Sequence, residues 1–156
     1  MNTVMTWETD STSSESTEQL AETIGQHLRG GEVIELKSDL GGGKTTFTRG
    51  LVRGAGSTDR VGSPTFTLSR EYQAPKFKLA HFDFYRLGEA GIVADELDEL
   101  VGDPGYVTIV EWGDIVQDVL PAQRLTIEFL QTADETRHIV IKYPGELGYL
   151  LEGLVV

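Results

Sequence analysis

The sequence predicts an α/β fold with antiparallel additions, on three observations. The run Val33–Lys37 (VIELK) enters the glycine cluster Gly41-Gly42-Gly43 and emerges as a helical pattern at Lys44, which is a strand, loop and helix in succession. Residues 106–112 (YVTIVEW) form an almost unbroken apolar run, the make-up of a strand covered on both faces, as parallel strands are. Near the end, residues 124–131 and 137–143 are two strand-like segments separated by the turn at 132–136, which marks a hairpin.

The elements follow in order. Residues 9–16 are polar and read as a loop ending in a helix start, with Ser16 and Gln19 as a capping box. Leu20, Ile24 and Leu28 then recur at i, i+4 and i+8 on one helix face, and Gly30-Gly31 stops the helix. The strand VIELK and the helix KTTFTRGLV come next. After the turn-rich AGSTDRVGSP, residues 67–73 and 77–86 read as two strands joined at Ala74-Pro75. Residues 95–101 form a short acidic helix, the buried strand and the hairpin follow, and residues 143–156 form a tail with no assigned element.

At 156 residues the chain has the size of one domain, able to bury roughly two-thirds of its unfolded surface. Its hydrophobic fraction of 39% excludes disorder and collagen-like repeats. The absence of cysteine excludes disulfides, Cys-ligated zinc, iron–sulfur clusters and thiol catalysis, and fits a reducing cytoplasm. The start of the sequence has neither a basic n-region nor an apolar h-region, and no later run approaches a membrane span, so a soluble, cytoplasmic protein is expected. The formal charge of −12 opposes DNA and anionic membranes. The charge is uneven: residues 37–86 hold nine of the 13 basic residues against four acids, whereas residues 89–118 hold nine acids and no base. One basic and one acidic face is one reading; accidental alternation of helical surfaces is the other.

The chemistry sits at Ser38-Asp39-Leu40-Gly41-Gly42-Gly43-Lys44-Thr45, which supplies all of the phosphate-loop pattern G-x-x-x-x-G-K-[ST] except its first glycine. That pattern needs bare backbone N–H groups around phosphate oxygens, here from Asp39 to Thr46. It also needs a lysine for the β/γ charge, Lys44, and a hydroxyl for Mg²⁺, Thr45. A plain Gly-rich turn is the alternative; the strand before and the helix after are the context the motif requires. Carboxylates for a hydrated Mg²⁺ should project from neighbouring strand ends, and Asp83 and Glu111 each follow apolar residues at such an end. Ser63-Pro64-Thr65-Phe66-Thr67 lies where a hydroxyl can sense a γ-phosphate, or is an ordinary turn. His27, His81 and His138 are scattered and support neither a triad nor a zinc site; Trp112 is core by default.

With these residues in view, the chain resembles the TsaE (YjeE) family of small bacterial P-loop ATPases. The matching pieces, in family order, are SDLGGGKTTFTRGL (38–51), SPTFTL (63–68), HFDFYRL (81–87), DELDEL (95–100), VEWGD (110–114) and VLP (119–121), within residues 16–143. The resemblance implies a P-loop NTPase-like three-layer fold, with a mostly parallel central sheet and antiparallel additions, as one domain over residues 1–156. It implies ATP and Mg²⁺ as cofactors. It also implies partners like TsaB and TsaD, in forming threonylcarbamoyladenosine at position 37 of tRNAs reading codons that begin with A, with tRNA itself touched only indirectly. It further implies that Thr45 and Glu111 contact Mg²⁺, that Asp83 assists, that Ser63, Pro64 and Thr65 act as a switch, and that Trp112 lies beside the site. Ser14 and Glu135 would be edges near the base. Two positions depart from the family pattern: Ser38 stands where glycine is usual, and Gly42 where alanine is commoner.

The expected activity is attack of water on the γ-phosphate, with Lys44, Glu111, Asp83 and Thr65 as the catalytic group and a partner completing the site. A GTPase reading fails because its Asn-Lys-x-Asp signature needs an asparagine in the interior, and the chain's only one is Asn2. A small-molecule kinase would want a mobile Arg-rich lid, where the region after Arg86 is acidic. A non-catalytic nucleotide-binding adaptor is the remaining alternative.

Overall fold

The computed structural model of the chain describes residues 3–38, 43–62, 69–84, 91–134 and 136–154, with residues 91–93, 113 and 115 described by their backbone alone. The elements are β1 (Val4–Ser11), α1 (Ser14–Gln26), β2 (Val33–Lys37), α2 (Lys44–Gly54), β3 (Ser69–Gln73), β4 (Lys78–Asp83), α3 (Gly91–Leu100), β5 (Tyr106–Glu111), β6 (Leu125–Gln131) and β7 (Arg137–Pro144). Short 3₁₀ helices occupy Gly113–Val116 and Gly145–Leu151.

The strands form one seven-stranded sheet in the order β1-β7-β6-β2-β5-β4-β3. Its four central strands, β6, β2, β5 and β4, are mutually parallel, while β3 on one flank and β7 and β1 on the other join antiparallel. The parallel part is therefore the centre of the sheet, and the antiparallel additions make up half of the pairings. The central strands alternate between two apolar faces. Ile34, Leu36, Val107, Ile109 and Ile127 pack under α1 and α2, and Val33, Ala80, Phe82 and Val110 pack with Leu97 of α3 and with Val116 and Leu120. That is the three-layer α/β arrangement, and burial on both faces explains why β5 is apolar without alternation.

Two glycines set how α2 lies on α1. A Cβ on Gly50 would fall 2.3 Å from the Glu18 carbonyl oxygen, and one on Gly54 would fall 2.2 Å from that of Glu22. No other residue allows this approach, which fixes the axis of α2 and so the position of its first residue, Lys44.

Three expectations are corrected. Residues 9–11 belong to β1, not to a loop. This edge strand is held by backbone pairing to β7 and is largely exposed, so it carries no strong apolar alternation for sequence reading to find. The cap of α1 is Ser13 and not Ser16, because Ser13 has the extended backbone of an N-cap and its Oγ accepts the Ser16 N–H at 3.1 Å, leaving Ser16 inside the first turn. The tail after residue 143 carries the 3₁₀ helix Gly145–Leu151. Leu147 and Leu150 are buried, and the Tyr149 hydroxyl donates to Glu32 Oε2 at 2.6 Å. Glu32 also accepts the backbone N–H groups of Arg29 and Gly30, and the Arg29 guanidinium lies 3.8 Å over the Tyr149 ring. Burial and the Glu32 carboxylate hold the Tyr149 hydroxyl well above the usual tyrosine range. Smaller shifts occur at boundaries: α3 begins at Gly91 where 95 is expected, β4 ends at Asp83 where 86 is expected, and β5 ends at Glu111, one residue early.

A buried charge holds the middle of β2 in place. Glu35 is fully buried; Arg124 Nε and Gln117 Nε2 donate to its two oxygens at 3.0 and 2.8 Å, and Arg124 is itself fixed on the Pro121 carbonyl oxygen and on Gln117 Oε1. Truncating one partner of such a pair strands the other charge in the core. Arg124→Ala is therefore expected to lower stability by about 3 kcal/mol in urea denaturation. A loss below about 1 kcal/mol would mean that Gln117 and water suffice for Glu35.

Candidate functional site

The parallel strands β2, β5 and β4 end together, and the candidate residues meet at that edge. Leu36 and Asp83 are both in register with Glu111, so the end of β2 and the two carboxylates stand level. By the period of a strand, His81 and Asp83 share one face of β4, and Ile109 and Glu111 the corresponding face of β5. This is the face covered by α1 and α2.

That start is open. Its N-cap is Gly43, at φ +107°, and no side chain caps the first N–H groups. A helix N-terminus of this kind attracts anions. Lys44 is only 6% exposed, and an ammonium so placed must be partnered. Its Nζ donates to the Ser38 carbonyl oxygen and to Ser38 Oγ, both at 3.1 Å, and lies 4.3 Å from the centroid of the Trp112 ring. Trp112 thus both packs on the second apolar cluster and floors Lys44. Its backbone is left-handed, φ +56°, the one such non-glycine among the described residues. Strain of that kind costs of order 1–3 kcal/mol and gathers at functional sites. Ser38 does not need the left-handed conformation, so serine fits there without strain, and its hydroxyl adds a bond to Lys44 that glycine would lack. Thr45 and Thr46 are half-buried in the first turn of α2.

Glu111 is 3% exposed, and the partner that makes this tolerable is a histidine: His81 Nε2 lies 2.5 Å from Glu111 Oε2. Sequence reading missed this pair. The signal available was the alternation His81-Phe82-Asp83, which puts the imidazole on the face of the strand that carries the acid. His27 and His138 are elsewhere, on the Glu152 carbonyl oxygen and between Asp10 and Glu8.

Lys44, Thr45, Asp83, Glu111 and Trp112 are therefore gathered at one edge. Ser14 is exposed at the start of α1, at the same edge of the sheet but three strands from β2, and among the described residues it hydrogen-bonds to neither Lys44 nor Glu111. Asp39, Leu40, Gly41, Gly42, Ser63, Pro64, Thr65 and Glu135 lie outside the described residues. Among the described residues no cluster of three or more His, Asp or Glu could hold a metal ion by protein ligands alone. One or two carboxylates with a hydroxyl suit Mg²⁺, which keeps waters and takes phosphate oxygens for the rest. The residues present fit that ion: an open helix N-terminus and a buried ammonium face anions, and hard oxygen donors stand beside them.

Comparison with known proteins supplies the family. The family model described as "Threonylcarbamoyl adenosine biosynthesis protein TsaE" matches residues 11–139. A Bacillus subtilis protein named tRNA threonylcarbamoyladenosine biosynthesis protein TsaE is 36% identical over 135 residues, 84% of this chain and 82% of that one. A Streptomyces coelicolor protein of the same name is 36% identical over 134 residues, 82% of this chain and 90% of that one. The crystal structure of Bacillus subtilis YdiB superposes with a TM-score of 0.79 at 33% identity, covering 97% of this chain and 94% of that one. With the family model matched along most of its length, the chain belongs to the TsaE family of tRNA threonylcarbamoyladenosine biosynthesis proteins.

Proposed function

We propose that the chain binds ATP with Mg²⁺ and hydrolyses it slowly by itself, as the energy-using component that supports a TsaB–TsaD-like complex in the cytoplasm. That complex would form N6-threonylcarbamoyladenosine at position 37 of tRNAs reading codons that begin with A, with tRNA contacted only indirectly. The observation that carries the reading is the buried Lys44 at the uncapped start of α2, beside Glu111. Lys44 has the charge to neutralise phosphate oxygens, first as binding energy and then against charge developing at the γ-phosphate. Thr45 and Glu111, with Asp83 assisting, would hold Mg²⁺, which when bound would supply electrostatic stabilisation of phosphate charge. Backbone N–H groups of Asp39 to Thr46 would cradle the phosphates, Thr65 would act in the switch segment with Ser63 and Pro64, and Ser14 and Glu135 would flank the base.

In this reading a partner completes the site. The test is ATP turnover by the isolated chain and again with cognate TsaB and TsaD. Slow basal turnover should rise about tenfold or more, equivalent to roughly 1.4 kcal/mol of barrier. Asp95, Glu96, Asp98 and Glu99 are exposed on α3, and if such charges form the docking surface the stimulation weakens with salt. Fast turnover without partners, unresponsive to them at any ionic strength, would instead identify a self-sufficient enzyme.

A further inference from the structure

Behind Glu111 lies a polar chain that the proposed chemistry leaves unused. His81 is fully buried and Tyr72 is 1% exposed, in the layer otherwise filled by Leu79, Ile109 and Phe47. His81 Nε2 is 2.5 Å from Glu111 Oε2, and the Tyr72 hydroxyl stands 3.4 Å from His81 Nδ1 and 3.1 Å from the Gly62 carbonyl oxygen, so that its one hydrogen is shared between these two acceptors. An ionised carboxylate only accepts, so the bond to Oε2 is donated by the imidazole. We propose that His81, steadied by Tyr72, is a positioning residue that fixes the Glu111 carboxylate for the divalent cation of a bound nucleotide.

Three features support this beyond the ordinary need to satisfy a buried acid. Asp83 and Glu111 are in register on neighbouring strands, where like charges repel, and His81 supplies a donor on the side of Glu111 that faces the core. The bond engages Oε2, and among the described residues no hydrogen bond is made to Oε1, so one oxygen is anchored and the other is left for a ligand. A carboxylate already held in one rotamer loses less freedom when it takes up a ligand, and ligating carboxylates are commonly held in this way from behind. The anchor is also stiff: His81 lies in the middle of β4, between β3 and β5, and Tyr72 is tied to the backbone at Gly62.

The inference rests on the nucleotide reading, and the experiment separates the two. Calorimetry would measure ADP affinity with the metal chelated, and then the Mg²⁺ concentration at which ADP binding is half-tightened. Two substitutions of similar polarity differ only in reach: the His81→Gln amide extends to where Nε2 stands, and the His81→Asn amide stops short of it. The expected result is that both retain metal-free ADP affinity within about twofold, that His81→Asn raises the Mg²⁺ midpoint by about tenfold, and that His81→Gln restores it to within about threefold of the unmodified chain. Equal midpoints for the two variants, or loss of metal-free affinity along with the midpoint, would overturn positioning in favour of a purely structural role. Should His81→Asn fail to fold, Tyr72→Phe decides: it keeps the ring and should shift the midpoint by about threefold, and no shift would overturn the proposal. An unmodified chain whose ADP binding ignores Mg²⁺ would defeat the nucleotide–metal reading itself, whatever His81 does.

Discussion

Lys44→Ala is expected to remove about 2–4 kcal/mol of ATP binding while the chain remains folded, the range for losing one partner of a desolvated charge pair. The expectation follows from where Lys44 stands. It begins α2, whose axis is set by the close glycine contacts with α1, and its ammonium is held under cover by Ser38 and Trp112. The helix does not depend on the ammonium, so far-UV circular dichroism and the unfolding transition should keep their native form. Calorimetric titration with ATP would report the loss. Unchanged ATP affinity in the folded variant would mean that the loop before α2 is a glycine-rich turn and nothing more.

Removing Glu111 should act differently. In the proposed reading its side chain holds a cation, and a cation's contribution grows as charge builds in the transition state, so turnover should suffer more than binding. For Glu111→Ala we expect partner-stimulated turnover to fall by about 100-fold, roughly 2.7 kcal/mol of barrier, against a change in ATP affinity of about threefold or less. Alanine would also leave His81 buried without its acceptor, so Glu111→Gln, whose amide oxygen can still accept from His81, is the necessary companion. It should fold like the unmodified chain and still lose turnover. If either variant hydrolyses ATP at the unmodified rate in the presence of partners, Glu111 is only the end of a strand.

Much of this was legible in the chain because its central elements are strongly patterned. VIELK followed by glycines and a helix gives β2 and α2, the unbroken YVTIVE gives β5, and the segments around Thr132 give the hairpin of β6 and β7, whose turn closes with the Thr132 N–H on the Thr136 carbonyl oxygen at 3.1 Å. Lys44, Asp83 and Glu111 could be found because strand ends in a parallel sheet converge, so placing each acid after an apolar run was enough to bring them together. What escaped depends on partners distant in sequence. The edge strand β1 draws its order from β7, more than 120 residues away in the chain, and has no apolar face of its own to betray it. The 3₁₀ helix at Gly145–Leu151 has too short a period to read, and it is fixed by Tyr149 meeting Glu32. The partners of Glu35 are not legible in the run VIELK, because Arg124 and Gln117 reach it only once β6 lies beside β2. In the sequence His81 is one of three scattered histidines, and only the register of β4 on β5 places it behind Glu111.

The most direct measurement of the central claim is the reference titration for Lys44→Ala: ATP into the unmodified chain by calorimetry, in the presence of Mg²⁺ and again with the metal chelated. The account predicts saturable binding at one site per chain, tightened by Mg²⁺ and weakened by about 2–4 kcal/mol in Lys44→Ala. Absence of saturable heat in both conditions, from a chain that circular dichroism shows to be folded, would contradict it.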